Sequence, residues 1–322
     1  MGRTAGTVRG ARTAPARLWH AHPPLGQSRP LPGGAQRPPE GRKTAGRGRP
    51  PPGSMGAMTT EAPVLLLAPR INETGLQLRT AAGLRGLRAR TAASWRAPRE
   101  LLGAPVHVYG GPLFADAVGR ELGLALLEPA EDWLARLPRA LTGRRVSATT
   151  LAEARALRGP AFVKPPADKL FAARVYLDGG ALPGPELLDG DTPVLVSEVV
   201  RFRAEYRLFV LDGMVRAGSR YAVDGDLSVA PLGRDGSQVL AFARDVLAAS
   251  AAQAPLPSAV VVDVGPTDHG WAVVEANAAW ASGGYAAGPE DVLDVVLRSS
   301  GPATQLAGTD VPFLRELPEV VR

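Results

Sequence analysis

The run AEYRLFVLDGMVRAGSRYAV, residues 204–223, restricts the fold more than any other stretch of this chain. Two segments with strong β character flank Asp212-Gly213, a pair suited to the two-residue turn of a β-hairpin. A second hairpin is expected close behind, where SAVVVDVG and WAVVEAN are joined across PTDHG. The amphipathic stretch RDGSQVLAFARDVLAASAAQA predicts a helix between the two hairpins, and GPEDVLDVVLRSS predicts a closing one. Ala161 to Lys164, Arg174 to Leu177 and TPVLVSEVV predict further strands. From residue 160 onward the pattern is therefore α+β, with antiparallel hairpins covered by helices.

The preceding stretch has a different rhythm. APVLLLAP, PVHVYG and Leu124 to Leu127 predict strands, and they alternate with helical spacing in ETGLQLRTAAGLRGLRAR, GPLFADAVGRELG and AEDWLARLPRAL. In the first of these, Leu76, Ala81, Leu84 and Leu87 fall near one face. This βαβα order predicts a small α/β unit with a parallel sheet over about 60–143. TTLAEARAL follows as a helix, with Thr149 or Thr150 as its cap and Glu153 placed for a capping box.

The charge of +6 is unevenly divided. Residues 1–57 hold ten Arg or Lys and a single acid, Glu40, for +9, whereas residues 58–322 hold 27 bases and 30 acids, for −3. The first segment is crowded with Pro and Gly and lacks periodicity, so it is expected to be a disordered extension. It reads as the product of an upstream in-frame start, with Met55 or Met58 as the working initiator, rather than as a nucleic-acid arm or transit peptide. The domain expectation is an extension at 1–57, an α/β domain at 58–145, a small lobe at 146–192, a large lobe at 193–302 and a tail at 303–322. With the basicity confined to the extension, neither nucleic acid nor a membrane is expected as partner, and the cytoplasm is the expected location. The absence of cysteine excludes thiolate metal sites and thiol nucleophiles. His107 and His269 are the two histidines beyond the extension, too few for a histidine-built metal centre.

After residue 57 there are 25 arginines but two lysines, Lys164 and Lys169. Arginine serves a solvated surface equally well, so two lysines five residues apart suggest a site that wants compact point charges. The whole chain holds two asparagines, Asn72 and Asn277. Asp263 follows three valines in a strand expected to be buried on both faces. Glu275 and Asn277 stand two apart on its partner strand, and residues i and i+2 of a strand share a face. Buried carboxylates need a cation. Either a hard divalent ion such as Mg²⁺ supplies it, bound through carboxylate and amide oxygens, or arginines of neighbouring strands do.

Taken together, Lys164 to about Tyr285 resembles the ATP-grasp superfamily, and within it the branch defined by an arginine and two lysines, found in bacterial proteins. The fold implied is two α+β lobes clasping a nucleotide, preceded by a small α/β parallel-sheet domain. The resemblance implies ATP and Mg²⁺ as cofactors. Lys164, at the end of FVK, matches the lysine of the α- and β-phosphates, and Lys169 resembles the branch's second lysine. SEVV resembles the adenine hinge, with Glu198 as its acid and Val199 and Val200 offering backbone groups. Glu205 matches the acid of the ribose hydroxyls, and Asp263, Glu275 and Asn277 match the magnesium set. Arg207 is the implied arginine of the branch, with Arg145 as a rival.

Two departures stand out. The phosphate loop, PPADKL, lacks glycine, and Val261 stands where many such ligases carry an arginine. Arg207, Arg216 or Arg220 must then reach the γ-phosphate, and Lys169, Arg207 and Arg220 are the expected catalytic residues. The implied reaction is ADP-forming ligation of a small-molecule or peptide carboxylate to an amine or thiol through an acylphosphate. A phosphotransferase and a nucleotide-binding module without turnover are the alternatives. In PRINETG, Arg70, Asn72 and Glu73 are candidates for the acceptor, but an N-cap by Asn72 or Thr74 is the favoured role.

Overall fold

A computed structural model describes residues 62–70, 72–167 and 170–319. The expected N-terminal extension, the proposed start at Met55 or Met58, and Lys169 lie outside the described residues.

The first unit runs β1 (Val64–Leu67), α1 (Glu73–Leu84), β2 (Arg88–Thr91), β3 (Val106–Tyr109), α2 (Pro112–Val118), β4 (Leu124–Leu126), α3 (Trp133–Arg136) and α4 (Arg139–Thr142). Its parallel sheet has the order β2-β1-β3. Asn72 caps α1, its side chain accepting from the Gly75 N–H at 2.7 Å, as the sequence suggested. β2, the segment RART, was expected to continue the helix. It is instead an edge strand of mostly polar residues, paired in register with β1. The helix expected over residues 130–141 is split into α3 and α4 by Pro138, which cannot continue a helical hydrogen-bond ladder.

The second unit is an antiparallel sheet of order β5-β8-β6-β7, from β5 (Val146–Thr150), β6 (Ala161–Lys164), β7 (Arg174–Tyr176) and β8 (Pro193–Ser197). The short helix α5 (Leu151–Ala154) follows β5, and Thr150 and Glu153 form the reciprocal capping box. β8 lies beyond residue 192, yet it pairs with both β5 and β6 of this sheet.

The third unit is a five-stranded antiparallel sheet of order β11-β10-β9-β12-β13. Its elements are β9 (Ala204–Leu211), β10 (Met214–Val223), β11 (Asp226–Pro231), α6 (Gly236–Gln253), β12 (Ala259–Thr267), β13 (Gly270–Asn277) and α7 (Pro289–Ser299). Asp212 and Gly213 turn the first hairpin with φ of 49° and 75°, the left-handed pair that such a turn requires. One face of this sheet, with Tyr206, Leu208, Val262 and Val273, packs on Val239, Ala243 and Val246 of α6 and on Trp133. The other, with Phe209 and Val261, packs on Val292, Leu293 and Val296 of α7 and on Leu65 and Leu67 of the first unit. That second face carries the candidate site.

After α7, β14 (Ser300–Pro302) pairs antiparallel with β4, so β4 leaves the parallel sheet it was expected to join. Within the segment expected to be a tail, Arg315 forms a two-pronged ion pair with Asp116 and a third bond to Glu128. No helix among the described residues is long and apolar enough to cross a membrane.

Candidate active site

The site is built where β9, β12 and β13 lie side by side. Register sets Asp263 opposite Arg207 on one side and Glu275 on the other. This alignment depends on a β-bulge. Asp263 pairs with Glu275 but Val264 pairs with Val273, so Val274 has no opposite number. Val273 packs on the α6 side, and strict alternation would send Glu275 there too. The extra residue reverses the phase and brings Glu275 and Asn277 to the face of Asp263.

Arg144 stabilises the bulge. Its buried guanidinium donates to the carbonyls of Val273 at 2.8 Å and Val274 at 3.2 Å, and to Thr142 at 2.9 Å. It also lies over the Phe202 ring at 5.5 Å. Burial brings its pKa down to about 10, against the pull of Glu275. Nothing in the sequence distinguished Arg144 from the other arginines.

The carboxylates are compensated by side chains. Arg207 grips both oxygens of Asp263, Nε to Oδ1 at 3.0 Å and Nη2 to Oδ2 at 2.6 Å. Burial works against the charge on Arg207, yet Asp263 outweighs it and holds the guanidinium charged well above its ordinary range. Full burial raises the Asp263 carboxyl, with Arg207 opposing. Lys164 reaches from β6 to pair with Glu275, whose other oxygen accepts from Asn277 Nδ2 at 2.9 Å. Burial alone would raise Glu275, but Lys164 and Asn277 bring it down to about 2. An arginine of a neighbouring strand, one of the two alternatives the sequence left open, is thus present for Asp263, whereas the cation at Glu275 is a lysine from a strand of another sheet.

Glu205 lies on the same face, 1 % exposed, and accepts from the Tyr221 hydroxyl at 2.5 Å. Burial pushes its pKa up to about 8 despite that bond, with Asp263 and Glu275 adding to the rise. With Glu205 neutral, the row carries two cations and two anions. Tyr221 and Tyr285 stack with centroids 5.3 Å apart and cover Arg207 at 5.2 and 5.4 Å. Tyr285 holds φ at 52°, an uncommon conformation for a bulky side chain. Neither tyrosine was anticipated from the sequence.

The other expected residues are placed elsewhere. Glu198 accepts from the Arg145 N–H at 2.9 Å and pairs with Arg139 and Arg145 at 3.0 and 3.2 Å. The Arg145 backbone bond leads in lowering its pKa. Val199 is exposed and Val200 half-buried just beyond it. Arg220 does not join the cluster: it is registered with Tyr206, on the α6 side, and donates to Ser228. Arg216 lies 3.9 and 3.6 Å from Asp291 and Asp294. Of the arginines considered for the phosphate, Arg207 is the one that the sheet brings to the acids.

A cleft of about 570 Å³ opens beside this row, lined by Lys164, Glu275 and Asn277 together with Trp133, Leu170 and Arg315. Residues 141–295, the stretch that supplies all of these acids and both described cations, match the ATP-grasp domain of family 2 in the clade named for an arginine and two lysines. The chain carries an ATP-grasp domain of this clade. Its fold is the ATP-grasp fold, preceded by the small parallel sheet. Among solved structures it is similar to a RimK-domain ATP-grasp protein from Sphaerobacter thermophilus, at 16% identity over 73% of this chain and 99% of that one, with a TM-score of 0.45. It is also similar to D-alanine–D-alanine ligase from Bacillus anthracis, at 12% identity over 74% and 97%, with a TM-score of 0.42. For the D-cycloserine synthetase DcsG the values are 15%, 72%, 98% and 0.43. No curated protein matches the sequence.

Within the ATP-grasp domain, the donor set can be compared with the groups the fold implies. Lys164, which lines the cleft, suits a phosphate oxygen. Glu275 and Asn277 are oxygen donors bordering the same cleft and suit a hard cation. Asp263 fits less well, because it is 0% exposed, whereas the Glu275 side chain, both of whose oxygens are also bonded, stays 28% exposed. Glu205 Oε1 is buried without a partner, which a ribose hydroxyl would satisfy, although Glu205 is the least accessible of the residues expected at the nucleotide.

Proposed function

We propose that this chain is an ATP- and Mg²⁺-dependent ligase that joins a carboxylate to an amine, releasing ADP and phosphate. A carboxylate oxygen attacks the γ-phosphorus, the bond to the β–γ bridging oxygen breaks, and ADP leaves with that electron pair. The amine nitrogen then attacks the acyl carbon, the acyl C–O bond breaks, and phosphate departs as the nitrogen loses its proton.

The observation that carries this reading is the meeting of Lys164, from β6, with Arg207, Asp263, Glu275 and Asn277 of the five-stranded sheet, beside a cleft that Lys164, Glu275 and Asn277 line. Such a reaction depends on positioning and on fixed charge more than on proton transfer. Lys164 holds the phosphates and Arg207 faces the charge that develops on the transferring group. Lys169, in the phosphate loop, adds a second point charge. Glu198 with the backbone of Val199 and Val200 takes the adenine, and Glu205 the ribose. Glu275 and Asn277 would hold a magnesium ion, which would supply Lewis-acid stabilisation of the phosphoryl oxygens.

The test is Glu275→Gln assayed for ADP release with pooled carboxylates and amines. The variant is expected to fold and bind nucleotide but to release no ADP. Wild type given the carboxylate with hydroxylamine is expected to accumulate a hydroxamate. A stable phosphorylated product without hydroxamate would identify a phosphotransferase instead. Nucleotide binding with no ADP from any acceptor pool would identify a binding module.

A further inference from the structure

We infer that Asp263 serves as the anchor of Arg207 and is not a ligand of the divalent cation, whose protein ligands are then Glu275 and Asn277 alone. The inference rests on the proposed nucleotide site only for the identity of the phosphate and cation. The anchoring pair stands on geometry.

Arg207 and Asp263 are direct partners in the register of β9 and β12, so neither side chain has to stretch to meet the other. The guanidinium takes the carboxylate side-on, one N–H to each oxygen, the planar fork that a lysine cannot reproduce. Asp263 is 0% exposed, so no body the size of a water molecule reaches the lone pairs that Arg207 leaves over. A hydrated Mg²⁺ gives up its waters reluctantly and demands near-octahedral geometry. It would have to enter a closed space and displace a cation from both oxygens. Both oxygens of Glu275 are bonded too, by Lys164 and Asn277, but its side chain keeps 28% of its surface exposed and both Glu275 and Asn277 line the cleft, so a cation reaches them without entering a closed space.

Withdrawal of Arg207 is also obstructed. The stacked Tyr221 and Tyr285 rings cover it, and the Tyr221 hydroxyl is tied to buried Glu205. The arginine is thus a fixed cation, always charged and held at one place, in a position where a mobile ion would have to be recruited from solution. Its favoured ligand is the additional negative charge that distinguishes a nucleoside triphosphate from a diphosphate, and Asp263 is the positioning residue that aims it.

The experiment is a Mn²⁺ titration followed by electron paramagnetic resonance, with Mn²⁺ alone and with AMP-PNP, on wild type and on Glu275→Gln, Asp263→Asn, Arg207→Gln and the Asp263→Asn/Arg207→Gln double variant. The anchor predicts that Glu275→Gln weakens Mn²⁺ binding tenfold or more while Asp263→Asn changes it by less than about threefold. It further predicts that Asp263→Asn, Arg207→Gln and the double variant lose the preference for AMP-PNP over ADP to the same extent. Equal weakening of Mn²⁺ by Asp263→Asn and Glu275→Gln would overturn the inference. So would a second Mn²⁺ per chain that Asp263→Asn removes, or losses of nucleotide preference that multiply in the double variant. If Asp263→Asn alone fails to fold, the double variant, with both buried charges removed, is compared with Arg207→Gln. Should wild type bind no nucleotide, the ligase reading fails and the anchor is judged by thermal unfolding. Asp263→Asn is then expected to lower Tm in the wild-type background and not in the Arg207→Gln background, and an equal loss in both would refute it.

Discussion

Replacing Glu205 by glutamine tests whether the charged row is balanced by a neutral acid. Burial pushes the Glu205 carboxyl from an ordinary 4.5 to about 8, so at pH 7 it is mostly protonated. The folded state binds this proton more tightly than the unfolded chain. The resulting stability is fully present below the unfolded value and is lost as pH rises through about 8. At about 1.4 kcal/mol for each tenfold change in proton affinity, the whole contribution approaches 5 kcal/mol. Somewhat more than half of that, about 3 kcal/mol, is lost between pH 6 and pH 9. Glutamine has the shape of the protonated acid, keeps an acceptor for Tyr221, and does not titrate. Urea unfolding of wild type and Glu205→Gln across that range should therefore give diverging profiles, with wild type losing about 3 kcal/mol more than the variant. Any fixed cost of the amide shifts the two curves apart but does not change their slopes. Parallel profiles would show that Glu205 is ionised in the folded protein, and would refute the assignment of two cations against two anions.

Lys164→Ala removes a charge-assisted contact and leaves Glu275 uncompensated. It should weaken AMP-PNP binding by about 1.5–3 kcal/mol in calorimetry, whereas Lys169→Ala should lower turnover more than affinity. Arg144→Met should cost about 2–4 kcal/mol in urea unfolding, because the bulge carbonyls of Val273 and Val274 lose their buried donor. A cost below about 0.5 kcal/mol would mean that the bulge stands without it.

The features legible in the sequence were those with local causes. The Asp212-Gly213 turn, the Asn72 cap and the Thr150–Glu153 box each lie within a few residues of the structure they determine. The gathering of Lys164, Asp263, Glu275 and Asn277 could be anticipated because acids within strongly apolar strands and scarce lysines are both unusual. Other features depended on distant partners. β4 carries an unremarkable apolar triplet, and only its pairing with β14 takes it out of the parallel sheet. β2 has the polar composition of an edge strand and follows a helical run without a break that the sequence marks. Arg144 and Tyr285 gain their roles from residues far along the chain, and Arg315 gains its own from Asp116 and Glu128.

The bulge on β13 bears on how chains of this kind can vary. Val274 is one residue in excess of what pairing with β12 needs. A relative lacking that position would still present its acid and amide on the same side, because simple alternation from Val273 would then suffice. It would, however, have no displaced carbonyls for a buried guanidinium to satisfy, and an arginine at position 144 would become a stranded charge. The residue at 274 and the arginine at 144 are therefore expected to be gained and lost together, two positions some 130 apart in the chain inherited as one trait.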